Sequence, residues 1–165
     1  RSHDKLGKAN LLSWRQIMPL YNPTGGSGSG GLLFQTSFTE QTTDTSITGT
    51  TFGTFGSLSV TITTSGNSNV VVQFQSSLSN NTNNQQVYAR LQVDGVTKRS
   101  GGMAASGSGN PGSVVLIYQM TGLSAGSHTF TIQWRASSSG SIAQCRPVTV
   151  PDGESASLML QEIST

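Results

Sequence analysis

The sequence predicts an all-β fold, a jelly-roll-type β-sandwich of about eight to ten strands preceded by an N-terminal arm. Three observations support this prediction. Apolar and polar residues alternate along short segments, clusters of Gly, Ser and Asn separate these segments, and no convincing helical pattern follows residue 31. The clearest alternation ends the segment Gly122–Trp134, in which Phe130, Ile132 and Trp134 share one face. Period-two alternation is typical of a strand with one buried and one solvated side.

Composition divides the chain of 165 residues into three parts. Residues 1–23 form an N-terminal docking arm. Residues 24–31 contain only Thr, Gly and Ser and form a flexible linker. Residues 32–165 form the β-sandwich domain. The length agrees with one domain plus an arm and is sufficient to bury a hydrophobic core.

The arm contains a predicted short helix over residues 10–18. Asn10 is a suitable N-cap, and Pro19 ends the helix. The apolar residues of this helix fall roughly on one face and are the candidate docking residues: Leu11, Trp14, Ile17 and Met18. Because so short a helix is marginal alone, we expect this face to pack on the domain, on a neighbouring copy or on a larger assembly.

The first strands of the domain are predicted between residues 32 and 78. Leu32–Thr39 is followed by Thr45–Phe52, whose many threonines favour an edge position. Leu58–Thr63 alternates strictly, and Val70–Gln75 continues towards Leu78. This alternation predicts half-buried strands.

The next two strands are predicted to form a hairpin. Gln86–Asp94 alternates between small apolar residues that face inward and polar residues that face outward, among them Tyr88 and Arg90. The dipeptide Asp94-Gly95 is a strong signal for a hairpin turn. Val96–Ser100 is the predicted short return strand.

The remaining strands complete the pattern. Val114–Met120 is nearly all apolar, which favours a central strand. His128–Ala136 and Ser155–Ile163 alternate between apolar and polar residues. Polar or glycine-rich loops are predicted at residues 80–85, 101–112 and 137–141. Binding residues are expected near such loops, because loops vary over a rigid scaffold.

Charged residues make up only 10% of the sequence, against about 25% in an average protein. Hydroxyl and amide side chains replace them, as is typical of β-rich extracellular modules and virion proteins rather than cytosolic enzymes. The first fifteen residues carry four basic residues and one acid, whereas the remainder carries five basic and six acidic residues. A nucleic-acid-binding face needs a clustered basic stripe, so no nucleic-acid partner is expected.

Cysteine usage and hydropathy exclude further classes. The single cysteine, Cys145, permits no disulfide within the chain and no cysteine-rich zinc site. We expect it to be a semi-buried packing residue, because it lies in a polar stretch with no neighbouring His to make the thiol reactive. No apolar run approaches the roughly 18–20 residues of a membrane span, so no membrane insertion is expected.

The sequence displays no catalytic constellation. Paired carboxylates, a nucleophile elbow before a helix and a phosphate-binding loop are all missing. His128 stands at a turn-to-strand junction, which favours a structural role. His3, which adjoins Asp4, and the turn Asp152–Glu154 are weak metal-binding signals. We therefore predict no enzyme, no cofactor and no metal site.

Three segments carry a resemblance to a known family: Tyr88–Gly95, Gly122–Trp134 and Leu158–Ile163. They resemble the small C-terminal jelly-roll domains, of the tumour-necrosis-factor/C1q-like type, that are found on bacteriophage virion proteins. The resemblance covers roughly residues 32–165. The arm segment Ser2–Leu6 also resembles the short His-containing segments that precede such domains in fibre proteins.

The resemblance implies a non-enzymatic virion structural protein that forms a homotrimer on the virion surface. It implies either a fibre or spike tip that recognises a host glycan or protein, or a protein that decorates the capsid. In both versions the arm contacts other virion proteins. Val114–Tyr118 is apolar on both faces, which fits either a core face plus a subunit contact or burial wholly within one protomer.

Two other functions remain open from the sequence. One is a carbohydrate-binding module of a secreted enzyme, and the other is a pilus or surface-layer subunit that forms open assemblies. The predicted contact residues for a partner or glycan are Tyr88, Arg90, Lys98 and Arg99, because Tyr88 points away from its apolar neighbours and the cations lie near loops. Trp134 is expected in the core or at a subunit interface.

Overall fold

Eight β-strands and no helix occupy the residues that the computed structural model describes, which are 33–104, 110–150 and 154–163. These residues all belong to one compact unit, Gly31–Thr165. The predicted all-β class is thus confirmed. The predicted arm helix with Leu11, Trp14, Ile17 and Met18, and the linker, lie outside the described residues. In chain order the strands are β1 (Leu33–Glu40), β2 (Thr45–Thr48), β3 (Gly53–Asn80), β4 (Gln86–Val93), β5 (Val96–Ala104), β6 (Gly112–Ala136), β7 (Ile142–Cys145) and β8 (Ser155–Ile163).

The strands form an open antiparallel sheet in the order β1-β8-β3-β6-β4-β5. Beside this path, β7 pairs with β2 and with the end of β3. The two longest strands, β3 with 28 residues and β6 with 25, pair with each other along nearly their whole length. Their register runs from Gly53 opposite Trp134 to Leu78 opposite Gly112.

The β3–β6 ribbon bends sharply near its middle. The register shifts between Ser65 and Ser68 and again between Ser68 and Val70, and such bulges bend a strand and increase its twist. Gly66 and Asn67 have φ values of +100° and +53° at this point, in the left-handed region that glycine and asparagine tolerate best. The local sequence therefore permits the bend without a break in strand pairing.

The bend divides the sheet into two halves that face each other. The β4 half contains β5, β4, residues 125–136 of β6 and residues 53–65 of β3. The β8 half contains β1, β8, residues 69–80 of β3 and residues 112–123 of β6. A straight strand from Phe55 to Phe74 would span roughly 60 Å, yet their ring centroids are 6.1 Å apart. The architecture is therefore β-sandwich-like.

Aromatic rings join the two halves in the core. Phe55 stacks on Trp134 with 4.1 Å between ring centroids, and it meets Phe74 of the other half edge to face. Trp134 is buried, as the alternation predicted. Gly101 of β5 lies against the β8 half, since a Cβ there would be 2.7 Å from Cδ2 of Leu116. This glycine allows the last strand of the β4 half to approach the core closely.

Several predicted strand bounds are wrong. The segments predicted as Leu58–Thr63 and Val70–Gln75 are one strand, because small residues carry the pairing through the bulges. His128–Ala136 and Val114–Met120 are likewise joined in β6. The strand predicted over Thr45–Phe52 ends at Thr48, and β5 extends through Ala104 into the predicted loop. The short strand β7 was not predicted, since Ile-Ala-Gln-Cys gives only a weak alternation.

The central position predicted for Val114–Met120 is also wrong. In the described part of the chain these residues pair with β3 on one side only, because β4 pairs with residues 130–136 of β6. Val114 and Leu116 are buried, whereas Val115 and Ile117 expose 61% and 62% of their surface. The described residues of one chain thus leave one apolar face of this segment uncovered.

A buried ion pair holds the start of β8. The Glu154 carboxylate accepts hydrogen bonds from Ser79 Oγ at 2.6 Å and from Arg146 Nη2 at 2.8 Å, and Arg146 Nε lies 3.3 Å from its second oxygen. The Glu154 side chain is fully buried, while Arg146 exposes 26%. Both carboxylate oxygens are engaged inside the protein, so Glu154 does not support the weak calcium signal of its turn.

We predict that Arg146→Met lowers the free energy of unfolding by about 3–5 kcal/mol, because it leaves the Glu154 charge buried without a partner. Urea unfolding followed by circular dichroism measures this loss. The double variant Arg146→Met/Glu154→Gln removes both charges and is expected to recover most of the loss. A loss in the double variant equal to the summed losses of Arg146→Met and Glu154→Gln measured singly would show no coupling between the two side chains. That result would contradict the ion pair.

Candidate functional site

Tyr88 and Arg90 lie on the outer face of the β4 half. They alternate along β4 with core residues, and both are half-buried. The register places Arg135 and Gln133 of β6 beside them on one side, and Gly102 and Ser100 of β5 beside them on the other. Residues opposite each other on neighbouring strands share a face. The sheet therefore gathers two arginines and a tyrosine at one place.

The two arginines stack on aromatic rings. The guanidinium carbon of Arg90 lies 4.2 Å from the centroid of the Phe52 ring. The guanidinium carbon of Arg135 lies 5.1 Å from Phe52 and 4.3 Å from Tyr88. Arg135 thus contacts both rings, at distances typical of cation–π interactions. We call these four residues, Phe52, Tyr88, Arg90 and Arg135, the Arg–aromatic cluster.

Hydrogen bonds fix the cluster from within. Arg90 donates from Nε and Nη2 to Oε1 of Gln133, at 2.8 Å and 2.6 Å. Arg135 donates from Nη1 to the carbonyl oxygen of Ala136 at 3.1 Å. The Tyr88 hydroxyl donates to Oε1 of Gln86. These neutral partners orient both guanidinium groups but do not neutralise them.

Neither arginine of the cluster has an acidic partner among the described residues. The salt bridges in these ranges join His128 to Asp94 and Arg146 to Glu154. Arg90 and Arg135 therefore bring two positive charges to one site of a domain that carries few charges overall.

A shallow cleft of about 430 Å³ opens beside the cluster. Its walls are Phe52, Tyr88 and Arg135, and its other lining is the β5 segment Ser100-Gly101-Gly102. A Cβ on Gly102 would lie 2.7 Å from Cδ1 of Tyr88. Because glycine has no side chain, the Tyr88 ring can rest against β5 and form one wall of the cleft.

The structure separates the four predicted contact residues into two groups. Tyr88 and Arg90 meet in the cluster, whereas Lys98 and Arg99 are exposed on β5. Arg99 pairs with Leu91, whose side chain is in the core, whereas the next residue, Ser100, pairs with Arg90. Because neighbouring residues of a strand alternate between faces, Arg99 lies on the opposite side of β5 from the cluster. Lys98 falls at the register shift between the two strands, and its charge contributes to the low pKa of Asp94.

Three residues of the site were not predicted, namely Phe52, Gln133 as a contact of Arg90, and Arg135. The alternation that buries Trp134 also places Gln133 and Arg135 outward. Extending the outward series by two residues would have identified Arg135 from the sequence. Phe52 gave no comparable signal, because it lies between β2 and β3 and its position depends on how the chain returns to the sheet.

The outer face of the β8 half carries a contrasting surface. Strand register aligns Ile117, Gln73, Met159 and Phe38 in one row across four strands, with Val115 beginning the next row. Phe38, Val115 and Ile117 expose 59%, 61% and 62% of their surface. We call the residues Phe38, Val115, Ile117 and Met159 the apolar patch.

His128 and Asp94 lock the β4–β5 hairpin to β6. Nδ1 of His128 lies 2.8 Å from Oδ2 of Asp94, and Nε2 lies 3.1 Å from the carbonyl oxygen of Ser124. Both neighbours are acceptors, so the doubly protonated ring suits the site. The Asp94 hydrogen bond raises the pKa of His128, and hydrogen bonds from His128 and Thr129 lower the pKa of Asp94. The arrangement fits the predicted structural role of His128.

Cys145 is buried, and burial with the nearby negative charges of Glu154 and Asp44 raises its pKa to about 12. Its thiol is therefore protonated and unreactive at neutral pH. Within residues 33–104, 110–150 and 154–163, no group of three or more His, Cys, Asp or Glu side chains is placed to hold a metal ion. The same ranges contain no helix that could span a membrane.

Comparison with known protein-family models gives no match for this chain, and no curated protein sequence matches it significantly. The described residues nevertheless define a class. They form an all-β, β-sandwich-like domain with an Arg–aromatic cluster on one outer face and an apolar patch on the other.

We predict that the His128–Asp94 pair makes stability depend on pH. The folded pKa of His128 is raised above 6.5, so its contribution is complete below pH 6.5 and is lost as the pH rises through the folded pKa. The folded pKa of Asp94 is lowered below 3.8, so its contribution is complete above pH 3.8 and is lost as the pH falls through the folded pKa.

Thermal unfolding between pH 5 and pH 9 measures this dependence. As the pH rises through the folded pKa of His128, the ring loses its proton, and the melting temperature of the native chain is expected to fall relative to that of His128→Gln. His3→Gln is the matched control and should keep the native profile. Parallel profiles of the native chain and His128→Gln would contradict the assigned pair.

Proposed function

We propose that the chain is a non-enzymatic surface protein of a bacteriophage virion, with a jelly-roll-type β-sandwich that assembles as a homotrimer. The apolar patch is the observation that carries this proposal. Monomeric proteins seldom expose a group of large apolar side chains on one face of a sheet, and such groups mark protein–protein contacts. The trimeric form and the virion setting come from the resemblance of the β segments to phage jelly-roll domains.

The composition of the apolar patch supports contact with further copies of the same chain. The two cross-strand rows that contain the patch also hold amide and hydroxyl side chains between the apolar ones, namely Gln73 and Gln75 on β3 and Ser157 on β8. Among the described residues of these two rows, Glu40 on β1 is the one charged residue. A surface with so little charge does not repel its own copy, and three copies can meet through it about a common axis.

The segment 112–120 of β6 adds a second feature to this surface. It pairs with β3 alone within the described ranges, so it lies at the margin of the β8 half with Val115 and Ile117 exposed. An apolar edge strand that stays exposed favours aggregation. Packing against a neighbouring protomer removes that exposure, which makes the open face of this segment part of a subunit contact.

The virion setting gives each part of the chain a role. The basic arm docks to other virion proteins through Leu11, Trp14, Ile17 and Met18, and the β domain projects from the virion surface. The domain acts as a fibre or spike tip for host recognition or as a capsid decoration. The low content of charged residues, 10% of the sequence, agrees with an extracellular assembly.

The Arg–aromatic cluster favours a second candidate function, a carbohydrate-binding module of a secreted enzyme. Aromatic faces beside polar groups are a common arrangement in ligand sites. This function does not need a trimer, so the oligomeric state of the chain distinguishes the two candidates.

Size-exclusion chromatography with light scattering tests the proposed trimer. The complete chain is expected at three times its subunit mass of 17.2 kDa, and Ile117→Lys is expected to dissociate it, because the substitution buries a charge in each contact. Val96→Lys is the matched control, since Val96 is a β-branched residue on β5 with 56% exposure. It should remain trimeric.

Two results would overturn the proposal. A native chain that is monomeric at micromolar concentration has no stable trimer contact. A mass that grows with concentration without a limit indicates the open assembly of a pilus or surface-layer subunit.

A further inference from the structure

The Arg–aromatic cluster has the electrostatics of an anion site. Arg90 and Arg135 both contact the Phe52 ring, and no described acid pairs with either of them. Two like charges held close together repel each other, and this repulsion is relieved when a negative charge joins them. A ligand that complements the cluster therefore carries a negative group.

The guanidinium groups retain free donors for such a group. Among the described residues, Arg135 uses Nη1, and Arg90 uses Nε and Nη2. Nε and Nη2 of Arg135 and Nη1 of Arg90 have no partner in these ranges. The planar arrangement of arginine donors matches the oxygen atoms of a carboxylate or sulfate, and charge-assisted bonds of this kind are stronger than neutral ones.

The surroundings of the cluster favour a hydroxylated ligand. The outer face of the β4 half continues as a ladder of hydroxyl pairs, with Ser59 bonded to Thr131 and Thr61 bonded to Thr129, each at 2.9 Å. The cleft itself offers the Tyr88 ring and the Ser100-Gly101-Gly102 segment. A sugar can place its C–H face on an aromatic wall and its hydroxyls against polar side chains.

We propose that the Arg–aromatic cluster and its cleft bind an acidic saccharide, with the carboxylate or sulfate group of the sugar held by Arg135 on the cleft wall and attracted by the nearby charge of Arg90. Nucleic acid fits less well, because it requires a longer basic stripe than two arginines. The inference goes beyond trimeric assembly. The cluster lies on the β4 half and the apolar patch on the β8 half, so each can fail without the other.

Isothermal titration calorimetry on the complete chain tests the proposal with five probes. These are trigalacturonate, a galactose sulfate that carries no carboxylate, neutral maltotriose, inorganic sulfate and a single-stranded oligonucleotide. At least one acidic saccharide is expected to bind at least about tenfold more tightly than maltotriose and sulfate. The preferred acidic probe identifies the group as carboxylate or sulfate.

Two variants locate the binding site. Arg135→Gln is expected to weaken binding of the acidic saccharide by about tenfold or more, since it removes charge-assisted hydrogen bonds. Arg99→Gln removes the same charge from an exposed arginine outside the cluster and should bind within about twofold of the native chain. Circular dichroism and light scattering check that each variant keeps its fold and its oligomeric state.

Gly102→Ala provides a test that leaves every charge in place. The added Cβ meets the Tyr88 ring, so the cleft wall moves and saccharide binding is expected to weaken. The proposal is overturned if Arg99→Gln loses as much affinity as Arg135→Gln, if sulfate or the oligonucleotide binds as tightly as the acidic saccharides, or if no acidic saccharide binds. A folded trimer that binds no saccharide leaves the assembly proposal intact.

Discussion

The bend in the β3–β6 ribbon is the constraint on which the other features depend. Because this ribbon folds over near Gly66, a single pair of long strands supplies both facing halves of the sheet. The fold brings Phe55 onto Trp134 and Phe74, so the core forms between two parts of the same strands. The bend also directs the alternate side chains of each half outward. The Arg–aromatic cluster and the apolar patch therefore lie on separate outer faces, and one region of backbone determines both.

Each outer face has the character that its sequence alternation allows. On the β4 half, outward positions hold hydroxyls, amides and arginines, and neutral partners such as Gln133 fix the arginines without neutralising them. On the β8 half, outward positions of β6 hold Val115 and Ile117, although the inward positions already supply the core. Apolar residues on both faces of one segment exceed what a single chain needs to bury. This excess supports the proposed assembly role of the β8 half. The arginines, which have no acidic partner among the described residues, support the proposed recognition role of the β4 half.

The sequence predicted local features well and distant pairings poorly. Alternation identified the buried face around Trp134 and the outward position of Tyr88, because period two is a local property of the chain. It failed at the ribbon bend, since a turn and a bulge have the same small residues and differ only in what pairs across them. For the same reason Val114–Met120 was assigned to the centre of the sheet. Of the cluster residues, Tyr88 and Arg90 were predicted and Phe52 was not, because Phe52 meets the arginines only after distant strands pair.

The length of the β3–β6 ribbon has a consequence for folding. Its outermost pair joins Gly53 to Trp134, and β8 adds to β3 from still later in the chain. Contacts between such distant residues require the closure of long loops, and domains dominated by them fold slowly, in milliseconds to seconds. During synthesis β3 must remain without its partners until β6 and β8 have been made. The period before pairing is therefore when this chain is most exposed to aggregation, and the near absence of charge on its strands gives it little protection during that time.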